Sequence, residues 1–323
     1  RCTIAPHGVW VQIPEVTDEH ASVQIRTELR NDTGTHRAAV LRTRIEDPQG
    51  ATVATVQSDV ELDAAEGVEQ AATIDRPCRW DIDAPHLYRC ISSVLVDGEE
   101  VDRLETPFGV RTFRFDADRG FSLNERPLKL NGVCMHHDLG PLGSAVNRGA
   151  LARQLDILAE MGCNAIRTSH NPPAPELLDL CDQRGFLVID EAFDEWRLGK
   201  MDNGYHTLFD EWAERDLRAF IRRDRNHPCV IMWSIGNEIR EQVDPGGAEV
   251  ARFLHNICHD EDPTRPTTAG FNNPDGAIEN GLADVVDVPG WNYRPHRYRE
   301  FHEEHPAWPM YGSETESCVS TRG

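Results

Sequence analysis

Hydrophobic and polar positions alternate with two different textures along this chain, and the change falls near residue 112. Before it, short segments rich in Val, Ile and Thr alternate residue by residue: Val9–Ile13, Ser22–Leu29, Ala39–Ile45, Thr52–Val56 and Ile91–Val96. A period of two puts successive side chains on opposite faces, the pattern of a half-buried strand. Asn31-Asp32-Thr33-Gly34, Asp47-Pro48-Gln49-Gly50 and Asp97-Gly98 lie between these segments and carry turn chemistry. An antiparallel β-sandwich of immunoglobulin-like size is therefore expected over residues 1–111.

From Phe113 onward, apolar runs alternate with amphipathic stretches, the pattern of βα units around a parallel sheet. Strand candidates begin near Leu128, Asn164, Phe186, Cys229, Thr267, Asp284 and Pro309. Leu151, Leu155 and Leu158 share one helix face, as do Leu177, Leu178 and Cys181 in a second helix that Gly185 stops. A third helix is expected from about Leu208 to Arg223, with Trp212, Leu217, Phe220 and Ile221 inward and Asn226-His227-Pro228 ending it. Seven such repeats over residues 112–323 fit a (β/α)8 TIM barrel, which typically takes about 250 residues, without its last unit. The expectation is a barrel truncated after strand seven, with segments missing at both ends of the chain.

Composition narrows the picture. At 39% hydrophobic and 27% charged, the chain has globular proportions, and no run approaches the roughly 18 apolar residues of a membrane span. A formal charge of −22 repels phosphate backbones, so nucleic acid is not an expected partner. Lys129 and Lys200 are the only lysines. Abundant acids with arginine in place of lysine occur both in salt-adapted proteins and under GC-rich base composition, and both readings stay open. The nine cysteines include no C-x-x-C pair, which disfavours a zinc site or a disulfide framework and suggests small buried hydrophobes. The chain starts at Arg1 rather than Met, so a missing leader carries no information. A cytoplasmic location is the working expectation.

Barrel enzymes carry their chemistry at the C-terminal ends of strands, and polar residues crowd there. The apolar runs lead into His136-His137-Asp138, Arg167-Thr168-Ser169-His170-Asn171, Asp190-Glu191, Gly236-Asn237-Glu238, Trp291-Asn292-Tyr293 and Ser313-Glu314. Several of these segments, with Asn131-Gly132-Val133, Asn164-Ala165-Ile166-Arg167, Arg223-Asp224-Arg225-Asn226-His227-Pro228 and Trp233-Ser234-Ile235-Gly236-Asn237-Glu238, resemble glycoside hydrolase family 2. Trp80, Pro85-His86-Leu87-Tyr88 and Phe108-Gly109-Val110-Arg111 resemble the end of that family's immunoglobulin-like domain.

The resemblance implies a retaining β-glycosidase, with Glu238 as acid/base and Glu314 as nucleophile. Such an enzyme needs one carboxylic acid to protonate the leaving oxygen and one carboxylate to attack the anomeric carbon, roughly 5 Å apart. Glu316 is the rival nucleophile, because strand alternation turns it the same way. Asn237 is expected to bind the sugar 2-OH, and Arg167 to pair with the nucleophile or form a structural ion pair. His136 and His170 either line the sugar subsite or belong to the core, and Tyr293 is expected to hydrogen-bond the nucleophile. Trp291 or Trp196 is a candidate for stacking on a sugar ring, and for each of these three aromatics a place in the core is the alternative. Some family members use magnesium, but Glu195-Trp196-Arg197 puts arginine where the pattern has histidine, so no metal or cofactor is expected. Asp190 and Glu191 are read as structural carboxylates.

Within the family a β-galactoside is the expected substrate on base rate, with β-glucuronide and β-mannoside as alternatives. The expected partner is carbohydrate, with no membrane, and a homo-oligomer is left open. Two readings from other classes compete: a non-catalytic carbohydrate-binding fragment, and a metal-dependent barrel hydrolase using His136, His137, Asp138 and His170. Adjacent histidines on a strand point to opposite faces, which weighs against the second.

Overall fold

The structure is a computed structural model that describes residues 1–317; Cys318, one of the nine cysteines, lies outside the described residues. The chain divides into two compact units. One comprises Arg1–Thr112 with Asp182–Gly185 and Arg222–Pro228, and the other the rest.

The first unit is a sandwich of two antiparallel sheets. Strands β1 (Cys2–Val16), β2 (His20–Asn31) and β5 (Ala65–Asp75) form one, in the order β1-β2-β5. Strands β3 (Arg37–Glu46), β4 (Thr52–Leu62), β6 (Tyr88–Val96) and β7 (Glu99–Phe108) form the other, in the order β4-β3-β6-β7. Alternate residues build the core, among them Val23, Ile25, Leu29, Leu41, Ile45 and Val94. Asp97 and Gly98 both take positive φ, 53° and 83°, in the turn joining β6 to β7, which suits a tight hairpin.

The second unit opens with a three-stranded meander, β8 (Phe113–Asp116), β9 (Gly120–Leu123) and β10 (Arg126–Pro127). Seven parallel strands follow in sequential order: β11 (Gly132–His136), β12 (Ala165–Ser169), β13 (Leu187–Glu191), β14 (Val230–Asn237), β15 (Thr267–Phe271), β16 (Gly290–Asn292) and β17 (Tyr311–Glu314). The row curls into a nearly closed barrel. At the seam, the Cys134 thiol of β11 reaches the Ser313 carbonyl of β17 at 3.3 Å. Inside, Ile189, Met232 and Val288 pack with Phe115 and Tyr311 as an apolar layer beneath the strand ends, in the layered manner of TIM barrels. The connecting helices are α1 (Arg148–Glu160), α2 (Pro175–Arg184), α3 (Phe209–Asp224), α4 (Gly247–Glu261), α5 (Pro274–Glu279) and α6 (Tyr298–Glu304). None is long and apolar enough to cross a membrane.

Three expectations shift. Strand one starts at Gly132 rather than near Leu128, and Asp284 lies in a turn, so strand six begins at Gly290. Val286 and Val288 are buried there without forming a strand, because burial alone does not demand a ladder. In α3 the inward residues are Phe209, Ala213, Leu217, Phe220 and Ile221. Trp212 is half-buried, its ring 4.6 Å from the Arg215 guanidinium carbon.

Candidate active site

The C-terminal ends of the seven strands carry one continuous polar network organised by Arg167 of β12. Its side chain is buried, and its three guanidinium nitrogens reach four partners, one of them the Cys134 thiol of β11, 3.7 Å from Nη1. Nε and Nη2 donate to Glu191 Oε2 at 2.9 and 2.6 Å. Nη2 also donates to Asn237 Oδ1 at 2.9 Å, and Nη1 donates to Glu314 Oε1 at 2.8 Å. The planar fork of arginine makes such multiple recognition possible where lysine could not.

Glu191 is fully buried, and burial would raise its pKa. The Arg167 charge and the bond from His170 outweigh that and hold the carboxyl below its ordinary range. His170 Nδ1 faces Glu191 Oε1 at 2.6 Å, and Ser234 Oγ donates to Oε2 at 2.5 Å. Burial would likewise lower the Arg167 pKa, but Glu191 foremost keeps it raised and charged.

Glu314 ends β17 and is held on both oxygens. Tyr293 OH donates to Oε2 at 2.5 Å, while Oε1 meets Arg167 and stands 3.4 Å from His170 Nε2. The bond to Glu314 pushes the Tyr293 hydroxyl above its ordinary pKa. Glu316 is exposed. Glu238 follows β14 with φ of +45°, a left-handed conformation uncommon for a residue with a side chain. Its N–H donates to Gly270 O at 2.7 Å, and its Oε1 accepts from Asn292 Nδ2 at 3.0 Å. Asn292 Nδ2 also contacts Asn237 Oδ1 at 3.3 Å, and Ser313 Oγ donates to Asn292 Oδ1 at 2.5 Å. A chain of bonds through Asn292, Asn237 and Arg167 thus joins Glu238 to Glu314.

Glu238, Glu314, Asn237, Arg167, His170 and Tyr293 are brought together. His136 stands beside them, edge-on to His170 with ring centroids 5.1 Å apart, and is exposed. The two tryptophans are a correction. Trp196 is fully buried and donates from Nε1 to Ile235 O at 2.6 Å. Trp291 is fully buried against Phe271, Phe301 and Trp308. Both pack in the barrel wall and present no face to a ligand.

Asn292, Ser313, Ser234 and Gly270 were not anticipated as site residues. A Cβ on Gly270 would stand 2.9 Å from Arg167 Nη2, 3.0 Å from Asn292 Oδ1 and 3.2 Å from Asn237 Oδ1. Its missing side chain is the space the network occupies. Lys200 was also overlooked: its Nζ donates to Asp194 Oδ1 and to the Asn237 carbonyl, both at 2.7 Å.

At the magnesium pattern the side chains are engaged with protein partners. Glu195 accepts from the His206 and Lys200 backbone N–H groups, and His206 Nδ1 lies 3.0 Å from its Oε1. Burial opposes its ionisation, but the donors of His206 and Lys200 bring its pKa down to about 2. Arg197 pairs with Asp210 at 2.6 Å. For the metal-hydrolase reading, both His170 ring nitrogens face carboxylates, and His137 Nε2 lies 3.0 Å from Ser144 O.

Residues 117–304 match the family described as glycosyl hydrolases family 2, TIM barrel domain, and residues 7–111 match glycosyl hydrolases family 2. The chain is 43% identical to the β-galactosidase BoGH2A of Bacteroides ovatus, over 98% of this chain and 41% of that protein. It is 33% identical to a β-glucuronidase of Bacteroides fragilis, over 89% of this chain and 41% of that one. A solved glycosyl hydrolase family 2 member from Bacteroides cellulosilyticus superposes with a TM-score of 0.93 at 38% identity, over 97% of this chain and 40% of that one. The chain thus spans about two-fifths of the length of these relatives. Matched across both of its units, it belongs to glycosyl hydrolase family 2.

Proposed function

We propose that this chain carries the catalytic pair of a retaining β-glycosidase, with Glu314 as nucleophile and Glu238 as acid/base, acting on terminal β-galactosides. The observation that carries this reading is the pair of strand-end glutamates joined through one hydrogen-bonded network. Glu314 attacks the anomeric carbon while Glu238 protonates the departing glycosidic oxygen, leaving a covalent glycosyl-enzyme. Glu238 then takes a proton from the water that attacks the same carbon, and the two inversions give net retention.

The surrounding residues suit these roles. Arg167 and Tyr293 donate to opposite oxygens of Glu314, which fixes the carboxylate as an acceptor with defined orientation. That preference favours Glu314 over exposed Glu316. Among the described residues Asn237 Nδ2 has one contact, 3.3 Å to Asp194, and it is the donor proposed for the sugar 2-OH. His170 Nε2 stands 3.4 Å from Glu314 Oε1, with His136 edge-on beside it. The two-carboxylate reaction requires no cofactor. The choice of galactoside rests on the Bacteroides ovatus relative.

A panel of nitrophenyl β-glycosides, assayed on a protein containing this whole chain, tests substrate class. Proton NMR of the first-formed sugar tests stereochemistry, and an inverted product overturns the mechanism. Glu314→Gln is expected to abolish glycosylation. Glu238→Gln is expected to spare good leaving groups but stall deglycosylation. A dead Glu316→Gln beside an active Glu314→Gln would reverse the nucleophile assignment.

A further inference from the structure

A second convergence of chemistry-bearing side chains lies at the other end of the barrel strands. His255 and His259 stand one turn apart on α4, their ring centroids 4.4 Å apart. Asp287 reaches them from the segment that leads into β16. Its Oδ2 accepts from the N–H and hydroxyl of Thr267, the first residue of β15, at 2.7 and 2.9 Å. The strand-end network touches the same strand at Gly270. The two clusters therefore sit at different ends of β15, and nothing in the proposed glycosidase chemistry uses the second.

We propose that His255, His259 and Asp287 form a binding site for a zinc-class divalent ion, with three protein ligands and a fourth position left to water. Two histidines four residues apart on a helix present their rings on one face, the arrangement that metal-binding helices use. One ligand atom from each of the three residues lies within 4.8 Å of the others. His259 Nε2 is 2.9 Å and His255 Nδ1 3.9 Å from Asp287 Oδ2. Tetrahedral zinc with bonds of about 2.0–2.1 Å separates its ligand atoms by roughly 3.3 Å. The two separations to Asp287 bracket that value, and the two imidazole ligand atoms lie within 4.8 Å of each other.

The surroundings suit this donor set. Thr267 donates twice to Asp287 Oδ2, the oxygen that faces both imidazoles, and so fixes its position. His255 Nδ1 faces the Thr267 hydroxyl at 2.8 Å, a bond that the ion would replace. Burial holds the His255 pKa below its ordinary value, with His259 and Arg252 adding to the effect against Asp287. Its bond to Asp287 raises the His259 pKa against burial, with Asp262 and Asp260 adding to it. Imidazole and carboxylate together suit zinc, copper or nickel rather than magnesium or calcium. The bound ion would clip α4 to the segment before β16.

The test uses a protein containing the whole chain, stripped with chelator and titrated with Zn²⁺ against a chromophoric competitor. His255→Gln and His259→Gln are compared with the parent, after circular dichroism shows that both fold. Their side chains are 22% and 32% exposed, so neither change opens the core. The expected result is one ion per chain that each variant binds at least about 100-fold more weakly. Zn²⁺ should raise the melting temperature of the parent and not of the variants, and Co²⁺ should give tetrahedral visible bands only in the parent. Equal zinc stoichiometry and affinity in parent and variants overturns the site, as does a parent that binds no zinc.

Discussion

Replacing Glu191 with glutamine tests the centre of the strand-end network. Glu191 is fully buried and accepts from Arg167 Nε and Nη2 at 2.9 and 2.6 Å and from Ser234 at 2.5 Å, with His170 Nδ1 at 2.6 Å. Glutamine keeps the volume but removes the charge and turns an amide NH2 toward groups that are themselves donors. Removing one member of a buried ion pair costs about 3–5 kcal/mol, a factor of roughly 160 to 4,700 in the folded-to-unfolded ratio. The pH dependence has a definite sign. The folded-state pKa of Glu191 lies below its ordinary value of 4.5. Its stabilisation is therefore fully present above that pH and is withdrawn as pH falls through the folded-state value. Urea unfolding of parent and Glu191→Gln, followed by tryptophan fluorescence from pH 7 downward, should show a large difference at neutral pH that shrinks in acid. A difference below about 1 kcal/mol at pH 7, or one that stays constant through the acid range, would mean that Glu191 does not anchor Arg167 as described.

Three further outcomes are expected. Gly270→Ala forces a methyl group against Arg167, Asn292 and Asn237; overpacking of about 1–3 kcal/mol should lower kcat/KM on an aryl glycoside, and unchanged kinetics would deny the glycine its role. Tyr293→Phe removes the donor to Glu314 Oε2, and the loss of a charge-assisted bond, about 1.5–3 kcal/mol, should appear mainly in kcat. Trp291→Ala should destabilise by about 3–5 kcal/mol while leaving KM for the sugar unchanged; a raised KM without destabilisation would return this ring to the substrate.

Which parts of the fold could be read from the sequence follows from how much apolar contrast each element carries. β2 and β3 alternate strongly and are legible, whereas β5 and β7 are not. Both are sheet edges, and β5 turns inward only Val68, Gln70, Ala72 and Ile74. Gln70 is polar yet buried, donating to Leu41 O and Ser58 Oγ. Near Asp284 the contrast misleads the other way: Val285, Val286 and Val288 look like a strand, but Val286 and Val288 enter the core from an irregular segment.

At the site, the acids were legible because a carboxylate directly after an apolar run has little reason to exist in a scaffold. The geometry that aims them was not, because it depends on breaks in strand alternation. In β14, Ser234 pairs with Thr268 and Asn237 with Gly270, so three steps on one strand oppose two on the other. In β17, Tyr311 pairs with Gly290 and Glu314 with Asn292, again three steps against two. Each is an irregularity of the bulge kind, and bulges re-aim side chains beside active sites. The extra residue lets Ser234 and Asn237 both face the Arg167 network, though strict alternation at a spacing of three would put them on opposite faces. It does the same for Tyr311, in the inner apolar layer, and Glu314. Gly236 and Gly312 lie inside these two irregularities, and glycine within an apolar strand run is the residue that marks such a place. The clue to how both glutamates are presented therefore stood in the sequence, two residues before each of them.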